Sequence, residues 1–97
     1  MIKTYIETIG EETVNFLEAL SYEVESRKNL LDFLSEKPDV NEKLFDKYFS
    51  EYQEFFVKYD LAKKNFEFTY IREKYPQVIN WELTFYNREL KINVQED

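Results

Sequence analysis

The most constraining feature of this 97-residue chain is the stretch from residue 41 to residue 75, which contains neither Gly nor Pro. Apolar and aromatic side chains recur along it at alternating three- and four-residue steps, which places them on one side of a helix. The main row is Phe45, Tyr48, Tyr52, Phe55, Tyr59, Ala62, Phe66 and Thr69, and the row beside it is Phe49, Phe56 and Tyr70. The pattern therefore predicts one long helix over 41–75, or two nearly collinear ones, with more aromatic surface than a single partner helix covers.

A second helix is predicted over 11–36. Thr8 and Glu11 have the spacing of a capping box at its start. Its apolar seam again follows three-four spacing and consists of Thr13, Leu17, Leu20, Val24, Arg27, Leu31 and Leu34, flanked by Phe16 and Leu30. Arg27 interrupts this seam, so we expect its charged head to meet a carboxylate on the other helix; a buried switch or binding role is the alternative.

The connection between the two helices is short. Pro38 cannot continue the first helix, and Asp39 with Glu42 repeats the capping-box spacing at the start of the second. A connection of this length predicts an antiparallel helical hairpin. Because the second helix is the longer one, its end should protrude by about two turns at ~1.5 Å per residue. The protruding side chains that need cover are Phe66, Phe68, Tyr70 and Ile71.

Residues 81–95 alternate between apolar and polar side chains, which predicts a β-hairpin that supplies this cover. A two-residue turn at Asn87 and Arg88 would set the cross-strand pairs. Those pairs are Phe85 with Leu90, Leu83 with Ile92, and Trp81 with Val94. Residues 1–8 alternate more loosely, and we expect an edge strand there that joins the hairpin.

The predicted fold class is therefore α+β. Residues 1–97 should form a single domain, in which a long antiparallel helical hairpin is capped by a small two- or three-stranded antiparallel sheet.

Composition argues against most catalytic chemistry. The chain has no His and no Cys, and its one Gly, Gly10, cannot form a phosphate-binding loop. We expect no enzyme activity, no catalytic residues, no cofactor and no metal site. The net charge of −7 also argues against direct binding of nucleic acid or membrane.

Composition also bears on where the protein works. No apolar run has the length of a signal peptide or membrane span, and Cys is absent, so we expect a cytoplasmic protein. Lys, Asn, Ile, Phe and Tyr are plentiful while Ala, Gly, Arg and Pro are scarce. This bias suggests an AT-rich bacterial or phage genome.

The outer face of the first predicted helix forms an acidic stripe without any Lys or Arg. The stripe consists of Glu11, Asn15, Glu18, Tyr22, Glu25, Asn29, Asp32 and Glu36. Helix surfaces usually mix Lys with Glu because i,i+4 ion pairs support the helix. A solvated face that keeps the protein soluble is the ordinary explanation. The functional interpretation is a docking strip for a basic partner, with Tyr22 as its aromatic anchor.

A second candidate surface is the aromatic row that the rest of the chain leaves uncovered on the 41–75 helix. Tyr is suited to interfaces because its hydroxyl needs a polar partner while its ring is apolar. The candidate residues are Tyr48, Phe49, Tyr52, Phe56 and Tyr59. They could bind a protein partner or a second copy of the chain.

Together these features predict a small acidic, non-enzymatic interaction protein that docks on a larger bacterial or phage-encountered protein as an accessory subunit or inhibitor. Three alternatives remain open from the sequence. The chain could be a self-associating homodimeric helical module, or an acidic mimic of nucleic acid that inhibits a defence enzyme. It could also bind an extended peptide at a free strand edge, although Lys91 and Asn93 on an edge strand would oppose this.

Overall fold

The computed structural model describes residues 1–37, 39 and 41–96, and it confirms the predicted α+β architecture. Two long helices are followed by a short helical extension, and three antiparallel strands form one sheet. In chain order the elements are β1 (Ile2–Thr8), α1 (Glu11–Ser35), α2 (Glu42–Phe66), a π-helical turn (Glu67–Ile71), α3 (Arg72–Lys74), β2 (Val78–Thr84) and β3 (Glu89–Gln95).

The helical hairpin makes the molecule long and thin. Helices α1 and α2 contain 25 residues each and pack against one another. The Cα radius of gyration is 17.3 Å and the principal extents are 57 × 27 × 19 Å. A compact chain of this length has a radius of gyration of about 12.5 Å. Much of the hairpin therefore lies far from the sheet.

Both predicted capping boxes are wrong. Helix α1 begins at Glu11 with Gly10 at its N-cap and no side-chain capping bond, because Thr8 is the last residue of β1 and lies two positions before the N-cap. Helix α2 is capped by Asn41 rather than Asp39: the Asn41 Oδ1 accepts a 2.8 Å hydrogen bond from the backbone N–H of Lys43. The predicted role of Pro38 in ending α1 lies outside the described residues.

The α1 seam is mainly as predicted. Leu17 and Leu31 are buried, and Leu20, Val24 and Leu34 are half-buried against α2. At the sheet end, however, Val14 is buried whereas Thr13 and Phe16 are exposed. The reason is that the first turn of α1 packs against the sheet as well as against α2, which moves the buried side of the helix toward Val14.

The π-helical turn changes which side chains at the end of α2 are covered. Phe66 and Ile71 are both buried, although they are five positions apart and an α-helix would place them on different faces. Tyr70 is half-buried beside them. The prediction that Phe68 would be covered is wrong, because a residue two positions after the buried Phe66 lies on the opposite side of the helix, in an α- or a π-helical turn alike, and there it faces solvent.

The sheet has the strand order β1-β3-β2, so β3 is central and the predicted N-terminal edge strand is confirmed. The predicted hairpin register is wrong by two residues, since Leu83 pairs with Leu90 and Trp81 with Ile92. A two-residue shift keeps every side chain on its predicted face, because side-chain direction alternates with period two. The apolar face of the hairpin is therefore as expected.

The register differs because the turn is longer than two residues. The backbone N–H of Arg88 donates to the Phe85 carbonyl at 3.3 Å, which closes a turn over residues 85–88. Arg88, and not Asn87, takes the left-handed conformation, with φ 57°. Asn87 instead accepts a 3.0 Å hydrogen bond from the backbone N–H of Glu89 through its Oδ1.

The hydrophobic core lies at the sheet end of the molecule. The three inward side chains of β3, Leu90, Ile92 and Val94, pack against the starts and ends of the helices. The other buried members of this cluster are Ile9, Val14, Leu17, Phe66 and Ile71. Over the part of the chain that the structure describes, no helix is long and apolar enough to cross a membrane.

Candidate protein-binding surfaces

The acidic stripe lies along α1 on the side away from α2, and all of its members are exposed. The predicted partner-binding residues of the stripe are Glu11, Glu18, Tyr22, Glu25, Asp32 and Glu36. Tyr22 at its centre is 69% exposed, with its ring in solvent rather than in the helix seam. The regular helix from Glu11 to Ser35 places these side chains in one continuous row.

No ion pair within the described residues involves a member of the stripe; the described pairs all lie elsewhere. Glu11 in the first turn is favoured by the helix dipole, but the last turn of α1 contains Asp32 and no basic residue. The C-terminal part of the stripe therefore lowers the stability of the helix slightly. Within the described residues, the negative charge of the stripe is therefore not neutralised by a neighbouring Lys or Arg.

The aromatic row on α2 is continuous and partly open to solvent. Neighbouring ring centroids lie 6.3 Å apart between Phe45 and Phe49, 6.4 Å between Phe49 and Tyr52, and 6.0 Å between Tyr52 and Phe56. Phe49 is 42% exposed and Phe56 is 48% exposed. A single layer of α1 side chains thus leaves about half of these two rings uncovered.

The three predicted tyrosines are half-buried. Tyr48 and Tyr59 each have a lysine ammonium over the ring, at 5.8 Å for Lys47 and 4.5 Å for Lys63. These lysines place positive charge beside the aromatic row, so α2 is not uniformly acidic. Tyr48, Phe49, Tyr52, Phe56 and Tyr59 therefore form a flank of mixed exposure rather than a fully open face.

Arg27 does not meet a carboxylate on the other helix, so that prediction is wrong. Its Nη1 pairs with the Glu23 carboxylate one turn earlier on α1 and donates to the Glu23 backbone carbonyl at 3.2 Å. On the α2 side, the guanidinium lies 3.8 Å from the ring centroid of Phe55. The facing position on α2 carries an aromatic ring instead of an acid, which makes the contact a cation–π interaction. The buried Arg27 Nε has no hydrogen-bond partner among the described residues.

Phe85, in the hairpin turn, lies between the two predicted surfaces, although its sequence position predicted only a role in strand pairing. It lines a groove of about 600 Å³ together with Glu18, Tyr22 and Glu25 of the acidic stripe. It also lines a groove of about 410 Å³ with Tyr59, Trp81 and α2 side chains near the end of the aromatic row. Each groove has room for side chains of a partner. We call this combined region the Phe85 surface.

Trp81 is held in place at the second groove by Glu67. The indole Nε1–H donates to the Glu67 Oε1 at 2.8 Å, while the Arg72 Nε–H donates to the Glu67 Oε2 at 3.0 Å. The Trp81 bond, assisted by Arg72, holds the pKa of Glu67 below its ordinary value against the opposing effect of burial. A charged Glu67 thus fixes β2 to the π-helical turn. No sequence pattern indicates this contact, since helical and strand periodicities describe each element separately.

A second polar cluster, centred on Glu7, fixes β1 to the end of the helical extension. The Glu7 carboxylate accepts hydrogen bonds from the Tyr75 hydroxyl at 2.6 Å, the Tyr70 hydroxyl at 2.9 Å and the Lys74 Nζ at 3.0 Å. The Tyr75 bond is the main reason why the pKa of Glu7 lies below its ordinary value, and the same contact raises the pKa of Tyr75 to about 12. The Tyr5 ring packs 4.8 Å from Tyr75, measured between centroids.

The N-terminal edge strand is confirmed, but the prediction that Lys91 and Asn93 lie on an edge strand is wrong. Lys91 and Asn93 belong to β3, which is central, so they cannot protect an edge. The two free edges belong to β1 and β2.

Comparison with known proteins adds no relative: no protein-family model, curated protein or solved structure matches the chain.

Proposed function

We propose that this chain is a small acidic, non-enzymatic interaction protein that docks on a larger protein and modulates it, as an accessory subunit or an inhibitor. The observation that carries the proposal is the position of Phe85. It lines one groove with Glu18, Tyr22 and Glu25 and another with Tyr59 and Trp81, so the middle of the acidic stripe adjoins the Tyr59 end of the aromatic flank. The second groove also contains Lys63 and Lys64. Acidic and aromatic groups side by side are typical of a surface that binds a basic, partly apolar segment.

Charge supports a basic occupant. The chain carries a net charge of −7, and the stripe residues make no ion pair within the described part of the chain. A complementary electrostatic potential speeds the association of two proteins and helps to select the partner, whereas buried aromatic anchors supply most of the affinity. In this surface Glu18 and Glu25 supply the potential, and Tyr22 and Phe85 are the anchors.

The exposed area also supports a partner. The accessible surface is 7200 Å², against about 6,000 Å² for a compact monomer of this mass. The excess reflects the thin helical hairpin, where rings such as Phe49 and Phe56 remain half-exposed. A partner that lies along the hairpin would cover apolar surface that this chain alone does not cover.

A protein partner is favoured over mimicry of nucleic acid. Mimicry needs a dense, one-sided negative surface, and α2 interrupts it with several lysines. These are Lys43, Lys47, Lys58, Lys63 and Lys64. The aromatic side chains at the Phe85 surface have no counterpart in a phosphate backbone, but they suit an amphipathic peptide segment.

The test uses a synthetic amphipathic helical peptide of Lys and Leu as the probe, with the same peptide carrying Glu in place of Lys as the peptide control. Calorimetry should show micromolar binding of the Lys peptide only. In NMR titrations, the shifted amides should be those of Glu18, Tyr22, Glu25 and Phe85. The variant Glu18→Lys/Glu25→Lys should weaken binding by about tenfold or more. Tyr22→Ala should weaken it even at moderate salt, because the loss is not electrostatic.

The matched control is Asp39→Lys/Glu73→Lys, which makes the same charge change at two exposed positions outside the two grooves that Phe85 lines. Little change in this control supports a specific surface. An equal loss in both variants would mean that net charge alone attracts the peptide, and the proposal would fail. Chemical-shift changes confined to β1 or β2 would instead favour peptide binding at a strand edge.

A further inference from the structure

Among residues 1–37, 39 and 41–96, no strand neighbours the outer edge of β1, which is a complete and regular strand edge. Strand β1 spans Ile2–Thr8, pairs with β3 without any shift in register, and contains no Pro. Such an edge can accept another strand unless charge, bulge or proline protects it. The edge of β2 differs, because its register shifts between Val78 and Asn80.

The backbone groups that β1 presents at this edge follow from the register. The Ile9 N–H donates to the Arg88 carbonyl at 2.9 Å, and the Glu96 N–H donates to the Met1 carbonyl at 2.8 Å. In an antiparallel pair, alternate residues exchange hydrogen bonds with the partner strand. The backbone N–H and C=O groups of the odd-numbered residues of β1 therefore point toward β3. The N–H and C=O groups of Ile2, Thr4, Ile6 and Thr8 point away from the sheet.

We propose that this edge pairs with the β1 edge of a second copy of the chain, antiparallel and about a two-fold axis at Tyr5. This register overlaps the whole of β1 with itself, so that Ile2 lies opposite Thr8 and Thr4 lies opposite Ile6 of the second copy. These are the residues whose backbone groups point outward, so each of these pairs exchanges two hydrogen bonds. The two three-stranded sheets become one continuous sheet.

The side chains of β1 are self-complementary in this register. Lys3 lies opposite Glu7 of the second copy, and symmetry makes this pair twice. The Glu7 carboxylate already accepts hydrogen bonds from Tyr70, Lys74 and Tyr75 of its own chain, so Lys3 would join that cluster as a further donor. An alternative register with the two-fold axis at Thr4 instead of Tyr5 gives a shorter overlap of the two strands and places Lys3 opposite Tyr5. On the outer face, Ile2 and Ile6 are 61% and 54% exposed and would be partly covered.

This self-complementarity is the reason for choosing a second copy over an unrelated extended peptide. A peptide of arbitrary sequence would gain the backbone bonds but not the two Lys3–Glu7 pairs. The interface is a single strand pair, which is below the size of a standard stable interface. We therefore expect a reversible dimer that forms between micromolar and millimolar concentration.

The decisive comparison is Thr4→Pro with Thr4→Ala. Both remove the Thr4 hydroxyl and its 2.7 Å hydrogen bond to the Asn93 Oδ1, but only proline removes the outward N–H. Sedimentation should show the wild type and Thr4→Ala rising from a mass of 12.0 kDa toward twice that value as concentration increases. Thr4→Pro should remain a monomer. Circular dichroism checks that each variant is folded.

Two further measurements cover the case in which Thr4→Pro fails to fold. In the wild type, the amides of Thr4 and Ile6 should exchange with solvent more slowly as concentration rises, whereas the amide of Leu90, already within the sheet, should not change. Lys3→Glu should weaken the dimer by about tenfold, since it creates two like-charge pairs. Lys28→Glu, the same change on the exposed side of α1, should not weaken it.

A mass that stays monomeric at millimolar concentration would overturn the proposal. A dimer that survives both Thr4→Pro and Lys3→Glu but dissociates with Phe56→Glu would also overturn it, because the contact would then be the aromatic flank of α2. These outcomes are independent of the peptide test for the Phe85 surface, which lies on other elements.

Discussion

The hydroxyl of Tyr75 donates a 2.6 Å hydrogen bond to the carboxylate of Glu7, which joins the end of the helical extension to the first strand of the sheet. Tyr70 and Lys74 donate to the same carboxylate. We expect Tyr75→Phe to lower the free energy of unfolding by about 1.5–3 kcal/mol, the range for a hydrogen bond to a charged group. Urea denaturation measures the loss. Tyr86→Phe, in the exposed hairpin turn, is the control and should change little. Equal stability of the two variants would mean that the Glu7 cluster does not stabilise the fold.

Acid should weaken the protein through Glu7. Because the pKa of Glu7 is lower in the folded protein than its ordinary value, its contribution is present above that ordinary value. The contribution is lost as the pH falls through the folded pKa. Glu7→Gln should therefore flatten the acid limb of the stability–pH curve, measured by urea denaturation at a series of pH values. Glu12→Gln is the control, since Glu12 is exposed on α1. If the stability of Glu7→Gln falls with acid as steeply as that of the wild type, the prediction is wrong.

At alkaline pH, stability should fall as the pH rises, because of Tyr75. The pKa of Tyr75 is raised to about 12 from an ordinary value of 10.0, so its contribution is complete below pH 10. It is lost as the pH rises toward the folded value. Tyr75→Phe should remove this alkaline loss of stability, and thermal melts between neutral and alkaline pH measure it. If the variant loses as much stability as the wild type, other groups are responsible.

Glu67 and Trp81 should be energetically coupled. The indole N–H donates to the Glu67 carboxylate at 2.8 Å, so a double-mutant cycle with Glu67→Met, which removes the acceptor, and Trp81→Phe, which removes the donor, should give a coupling energy of about 1–2 kcal/mol. The Glu67 change alone should also alter the fluorescence of Trp81, the only tryptophan in the chain. Glu73→Met, an exposed change on α3, serves as the control. Additive effects of the two changes would show that the contact does not stabilise the fold.

The effect of replacing Arg27 on stability should depend on which residue takes its place. Its alkyl chain fills the helical seam and its guanidinium covers Phe55, but its Nε is buried without a partner. Arg27→Met keeps the apolar contact and removes the unpaired donor, so we expect stability equal to or greater than that of the wild type. Arg27→Ala should lose about 1–2 kcal/mol through lost packing. Thermal melts distinguish the two. A loss in Arg27→Met as large as in Arg27→Ala would show that the cation–π contact outweighs the unpaired donor.

The long elements could be predicted from the sequence because their causes are local. The lack of Gly and Pro between 41 and 75 permits one continuous helical segment, and apolar spacing shows which side of each helix faces inward. Alternation in 81–95 likewise identifies the apolar face of the hairpin, and that face is right even though the register is shifted by two residues. The acidic stripe could also be read directly, since a helix places its members in one row.

The tertiary structure decided what depends on contacts between distant parts of the chain. Whether Ile71 lies on the same side as Phe66 depends on the π-helical turn, because one extra residue in a turn rotates the following side chains and leaves no mark in the periodicity. The partner of Arg27 depends on which α2 side chain lies across the seam. Glu7 meets Tyr70 and Tyr75, and Phe85 meets the acidic stripe, only after the sheet packs on the helices. Sequence periodicity describes the orientation of side chains within one element, whereas these contacts are set by how the elements pack together.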